Sequence, residues 1–128
     1  MIYADTSVVL AQLLAEDRRP PAGFWQEALV SSRLLEYEIW NRVNARTLAQ
    51  SHGEAARSLI GRVALLELAP PVLARALEPF PEPVRTLDAL HLASADFLRS
   101  QGQQLKVATY DERMARVAQA LGFKMYAL

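Results

Sequence analysis

Met1-Ile2-Tyr3-Ala4-Asp5-Thr6-Ser7 begins the chain with a short apolar run that turns polar at Asp5. Such a run predicts a buried strand, and the polar triplet predicts the turn that ends it. Residues 8–16 then carry apolar side chains at helical spacing, and Pro20-Pro21 stops them. The same strand–turn–helix grammar recurs downstream. Residues 28–31 read as a second strand and residues 32–50 as a helix opened by a serine. His52-Gly53 reads as its break, with a helix resuming over 54–63. A third strand is predicted at 66–69, closed by Pro70-Pro71, followed by a short helix at 72–77. Pro79, Pro81 and Pro83 mark the least regular stretch. Residues 86–98 form an apolar helix, 106–109 a strand, 112–121 a helix ended by Gly122, and 123–127 a last strand. Strands alternating with helices imply an α/β fold with a mainly parallel sheet covered on both faces.

Size and composition narrow the choices. The 128 residues suit one domain, residues 1–128, with enough buried surface for a core of its own. Hydrophobic residues make up 52% of the chain, a slight surplus that suggests apolar surface reserved for a partner. Lys+Arg and Asp+Glu number 14 each, so bulk charge does not advertise nucleic-acid binding. Any such contact must come from local arginines or from a metal that reverses the sign of an acidic pocket. Without cysteine there is no disulfide, thiolate metal site or cysteine nucleophile. No apolar run is long enough to span a bilayer and no leader is visible, so a cytoplasmic protein is expected.

The placement of the acids is informative. Asp5 falls at the carboxyl end of the first predicted strand and Asp111 just beyond the strand ending at Thr109. Ligands of open parallel sheets gather at those ends. On a wheel of the 86–98 helix, Leu87, Leu90, Ser94, Phe97 and Leu98 share the inner side. Asp88 lies on its shoulder among apolar neighbours, whereas Asp96 has a route to water. A carboxylate in low dielectric needs a proton, a cation or several donors. Each acid also has an ordinary explanation. Thr109-Tyr110-Asp111-Glu112 fits a capping box, Thr86 could cap the helix that holds Asp88, and Asp5 could cap the helix after it. A fourth acid is expected from the 32–50 helix. There the wheel does not separate Glu36 from Glu38, and Glu38 could simply pair with Arg42.

Four segments resemble the motifs of PIN-domain nucleases. Ile2-Tyr3-Ala4-Asp5-Thr6-Ser7 looks like the first and Leu35-Glu36-Tyr37-Glu38-Ile39-Trp40-Asn41 like the second, with the acid at Glu38. The run from Arg85-Thr86-Leu87-Asp88 through Ala89-Leu90-His91-Leu92-Ala93-Ser94-Ala95 is similar to the third motif of VapC-type toxins, and Thr109-Tyr110-Asp111-Glu112-Arg113-Met114 resembles the fourth. The resemblance implies a PIN-like three-layer sandwich with a central, mainly parallel sheet flanked by helices. It also implies a Mg²⁺- or Mn²⁺-dependent ribonuclease whose acidic, metal-holding cluster is Asp5, Glu38, Asp88 and Asp111. Thr6 or Ser7 would orient a ligand or a metal-bound water. Such toxins are typically homodimers held inactive by a cognate antitoxin that inserts an apolar helix into the acidic pocket; Phe24, Trp25 and Trp40 are contact candidates or core.

Other residues carry two readings. His91 is a candidate general base, but its wheel position beside Leu87, Ala95 and Leu98 favours a hydrogen-bonded core histidine. Arg42, Arg46, Arg85, Arg113 and Arg116 could meet RNA phosphates, although an exposed face explains most of them. A haloacid-dehalogenase-like phosphatase would want a second Asp where Ser7 stands. A receiver domain would want an acid pair beside Asp5. A PIN-like module that binds RNA or protein without cutting is the remaining alternative.

Overall fold

In the computed structural model, which describes residues 1–128, Ile2–Ala4 form β1 and Thr6–Leu13 form α1, with only Asp5 between them. The remaining elements are β2 (Leu29–Ser32), α2 (Leu34–Ala45), α3 (Ala49–Ile60), β3 (Ala64–Leu66), α4 (Pro70–Ala76), α5 (Thr86–Ser100), β4 (Lys106–Ala108), α6 (Glu112–Ala120) and β5 (Lys124–Met125). The five strands pair in the order β3-β2-β1-β4-β5, and every pairing is parallel. The sheet is therefore wholly parallel rather than mainly so, an α/β sandwich with helices on both faces.

Alternation along the strands sets the layers. Tyr3, Val30 and Val107 pack with Leu92 and Ala95 of α5 and with Met114, Val117 and Ala118 of α6. Ile2, Ala4, Leu29 and Ala108 point the other way, onto Val8 of α1 and Phe24. Beyond them, Val9, Leu10 and Leu13 of α1 join Leu35, Ile39 and Val43 of α2 and Ala56 and Ile60 of α3 in a helical cluster. From β1 the sheet grows one way to β2 and β3 and the other way to β4 and β5. The carboxyl ends of β1 and β4 thus flank the switch point where parallel sheets open a crevice. Their register, Ala4 opposite Ala108, is continued by the Asp5 amide donating to the Ala108 carbonyl at 2.9 Å.

Several boundaries differ from those expected. The helix predicted over 32–50 ends at Ala45, and the next begins at Ala49, so His52-Gly53 lies inside α3 and is no break. The reversal comes at Thr47, which adopts φ 52°, while the Leu48 amide closes back on the Val43 carbonyl at 2.9 Å. The same six-residue closure ends α1 through Ala15 (φ 51°), α5 through Gly102 and α6 through Gly122. β3 lies earlier than the predicted 66–69, and Pro70 starts α4, where its missing N–H is harmless. The buried face of α5 is His91, Leu92, Ser94 and Ala95, whereas Leu87 is 47% exposed. Ala89 and Ala93 are buried with them, so the inner face is rotated away from Leu87 and onto His91 and Leu92. Asp96 is not simply solvated: Arg75 and Arg99 both bind it at 2.7 Å. Phe24 is fully buried, which places it in the core rather than on a contact surface.

Candidate active site

Asp5 is the hinge between β1 and α1 and occupies the N-cap position of that helix, but its side chain makes no cap bond. Its Oδ2 instead accepts from Ser7 Oγ at 2.7 Å and from Thr109 Oγ1 at 2.8 Å. Ser7 Oγ also accepts the Tyr110 amide at 3.0 Å, and Thr109 Oγ1 accepts the Asp111 amide at 2.9 Å. These bonds stitch the loop after β4 to the start of α1 and hold the Asp5 carboxylate in one orientation. Thr109 is therefore not the N-cap of α6. Asp111 is, its Oδ1 accepting from the Met114 amide at 3.1 Å.

Glu38 reaches the same region from α2. Its Oε1 accepts from Thr6 Oγ1 at 2.7 Å and lies 2.6 Å from His91 Nε2. On the far side of the ring, His91 Nδ1 is 2.8 Å from the Tyr3 hydroxyl, whose oxygen accepts the Ser32 amide at 3.1 Å. With the Tyr3 oxygen taken by that obligate donor, its own proton is free for Nδ1, which leaves the proton of neutral imidazole on Nε2, facing Glu38. Burial pushes the Tyr3 phenol far above its ordinary range, so it stays a neutral donor. Burial is also the largest single influence on His91 and pulls its pKa down. The Glu38 bond, with the charges of Asp5, Glu38 and Asp88, outweighs it, and the net direction is up. Glu36 is elsewhere in its contacts, paired with Arg33 at 3.4 Å. Glu38 makes no ion pair with Arg42; its partners are Thr6 and His91.

Asp88 sits in the first turn of α5, whose N-cap is Arg85 rather than Thr86, and it makes no cap bond. Arg85 stands 3.6 Å from Asp88 and 3.8 Å from Asp111, a resident counter-charge between two acids that is itself 73% exposed. Burial pushes the Asp88 carboxyl above the usual range, and the charges of Asp111 and Asp5 push it the same way, against Arg85 and His91. Asp5, Glu38, Asp88 and Asp111 all line one cavity of about 340 Å³, together with Thr6, Ser7, Asn41, Arg42 and Arg85.

The donor set suits a hard divalent cation: carboxylate oxygens in quantity, hydroxyls beside them, and no sulfur. Two carboxylates about 5 Å apart repel by roughly 3 kcal/mol at an effective dielectric near 20, so a cation relieves the cluster directly. No three acidic or histidine side chains converge as a ready-made coordination shell. An ion such as Mg²⁺ takes one or two carboxylates and keeps several waters.

Thr6 and Ser7, expected to orient a ligand or a water, spend their protons on Glu38 and Asp5. Asn41, the last residue of the second motif and assigned no role there, lines the cavity one helical turn after Glu38, where the spacing of three places it on the same face. Tyr3 was also missed, because an inward tyrosine in a buried strand looks like any other core residue.

Residues 2–120 match the PIN domain. Ribonuclease VapC47 of Mycobacterium tuberculosis is 32% identical over 130 residues, covering 96% of this chain and 93% of its own. Ribonuclease VapC46 of the same species is 31% identical over 130 residues, covering 98% of this chain and 96% of its own. Ribonuclease VapC35 is 27% identical over 133 residues, covering 99% and 96%. A wholly parallel sheet with strand-end acids at its switch point, matched along nearly its full length by these relatives, makes this chain a member of the PIN-domain family, of VapC type.

Proposed function

We propose that this chain is a divalent-metal-dependent endoribonuclease, the toxin of a toxin–antitoxin pair. The observation that carries the reading is one cavity lined by four carboxylates from four distant segments, Asp5, Glu38, Asp88 and Asp111. The ribonuclease names of the relatives support the RNA substrate.

Asp5, Glu38, Asp88 and Asp111 would hold Mg²⁺ or Mn²⁺. When bound, the ion supplies Lewis acidity at the scissile phosphate and a water acidic enough to yield hydroxide near neutral pH. The chain's own residues do the positioning. Ser7 and Thr109 fix the Asp5 carboxylate, Thr6 and His91 fix that of Glu38, and both are thereby aimed before substrate arrives. Arg85 and Arg42 supply positive charge at the cavity wall for phosphates on either side of the cut. Pure protein freed of antitoxin should cleave RNA with Mn²⁺ or Mg²⁺ and stop in EDTA. Asp5→Asn and Asp88→Asn should abolish cleavage and leave the fold intact; full activity in Asp88→Asn would sink the proposal.

Inhibition by an antitoxin and assembly into a homodimer belong to the same reading, as does action in the cytoplasm. No helix of the chain is long and apolar enough to cross a membrane. Leu87, 47% exposed at the edge of the acidic cavity, suits an apolar helix laid over the site. Leu73 and Leu77, 42% and 89% exposed, offer apolar surface for association. Light scattering of the chain alone and with its antitoxin tests both assemblies.

A further inference from the structure

A second cavity, of about 620 Å³, opens beside the acidic one and shares Ser7, Leu10, Arg42 and Asp111 with it. Its volume is that of an ordinary ligand cleft, roughly 300–1,000 Å³. One wall is an aromatic–guanidinium stack, with the Arg18 carbon 5.0 Å from the centre of the Tyr110 ring. Tyr110 is anchored from behind: its ring packs on the cluster of Ile2, Ala4 and Val8, and its amide donates to Ser7 Oγ at 3.0 Å. Arg18 is exposed and makes no ion pair.

We infer that this cavity is a base-stacking subsite, in which a nucleobase flanking the scissile phosphate of an RNA lies on Arg18, backed by Tyr110. The inference rests on the ribonuclease reading and says where the neighbouring nucleotide goes. Bases splayed from single-stranded RNA stack on guanidinium planes and aromatic rings alike. The charges favour a base over a phosphate. Arg18 and Arg42 face Glu16, Asp17 and Asp111, a mixture that would not draw a dianion but offers acceptors and donors to a base edge. The phosphate belongs next door, in the acidic cavity, and the shared residues Ser7 and Asp111 make the two compartments one continuous track.

The test uses the full chain carrying Asp88→Asn, so that binding is read without cleavage, with Mn²⁺ present. Fluorescence anisotropy compares labelled hexa-adenylate with an abasic ribose-phosphate hexamer. Adding Arg18→Ala should weaken hexa-adenylate by roughly ten-fold, within the range for loss of one stacked base, and the abasic oligomer by less than about two-fold. Arg18→Lys, which keeps the charge and loses the plane, should fall with Arg18→Ala. In the cleaving chain, Arg18→Ala should raise KM about as much as it weakens binding and leave kcat near its original value. Equal weakening of both oligomers would make Arg18 a phosphate contact and overturn the subsite, as would unchanged hexa-adenylate binding. Failure of the wild-type chain to cleave any RNA would instead overturn the ribonuclease reading beneath it.

Discussion

His91 Nε2 lies 2.6 Å from Glu38 Oε1, and both groups are held from opposite sides, Glu38 by Thr6 and His91 by Tyr3. A core residue of β1 is thereby connected through one imidazole to a carboxylate of the candidate site. The histidine is 1% exposed, so it has no access to a reacting water, and its place is behind Glu38 rather than in the cavity. The general-base reading of His91 gives way to that of a buried support.

Breaking the connection at its root separates stability from chemistry. Tyr3→Phe keeps the ring but strands the Ser32 amide and the Nδ1 lone pair in a buried place. Unfolding in urea should show a loss of about 1–3 kcal/mol, the usual penalty for buried unsatisfied groups. Residual cleavage should stay measurable, because Thr6 still fixes Glu38; a loss of all cleavage in a stable Tyr3→Phe protein would contradict this division of labour.

The two glutamates of α2 should behave differently. Glu36→Gln removes half of a surface pair with Arg33 and should leave cleavage within about two-fold, since such pairs contribute little. Glu38→Gln should lower it by at least the roughly 10–100-fold typical of damage to the support around a metal. Equal losses would remove Glu38 from the cluster. Both wheel positions on α2 were open in the sequence, because what distinguishes them is distant: His91, 53 residues on, approaches one and not the other.

That contrast describes what the sequence could and could not reveal. The positions of Asp5 and Asp111 were legible because each takes the N-cap position of a helix just after a strand, Asp5 directly behind β1 and Asp111 three residues behind β4, a local pattern. The turn at Thr47 was not legible, since a β-branched residue is the least expected occupant of a left-handed conformation, and the nearby Gly53 drew the break to itself. The inner face of α5 differs from the wheel because His91, held by Tyr3 and Glu38, and Leu92 face inward while Leu87 is exposed.

The strained closure after α2 can be relieved. A non-glycine residue in the left-handed region costs roughly 1–2 kcal/mol, and glycine returns part of that as chain entropy. Thr47→Gly should therefore stabilise the protein by about 0.5–1 kcal/mol in urea unfolding. Destabilisation would mean that Thr47 contributes a tertiary contact worth more than the strain.

Asp88 carries a pH signature. Its folded pKa is raised, so between the unfolded value of 3.8 and the folded one the native state binds more protons than the unfolded state. Stability from this group is lost as pH rises through the folded pKa. Asp88→Asn removes the charge, and in EDTA at pH 7 it should be more stable than the wild type, with the gap narrowing as pH falls toward 4. A gap that stays constant with pH would exclude both burial of the charged carboxylate and repulsion from Asp111 and Asp5 as its origin.

Arg85 holds the position a cation would contest. It stands between Asp88 and Asp111 at 3.6 and 3.8 Å, exposed enough to swing into water once those charges are otherwise neutralised. Divalent metal should raise the unfolding free energy, by roughly 2.7 kcal/mol at a hundred times its dissociation constant. Arg85→Gln makes the metal-free protein feel the unrelieved acids, so it should melt earlier in EDTA. It should also gain more than the wild type from Mn²⁺, because no guanidinium competes for the carboxylates. An identical Mn²⁺ response in both proteins would show that Arg85 and the metal do not compete for the same pair of acids. A flat response in the wild type would remove the metal from this site altogether.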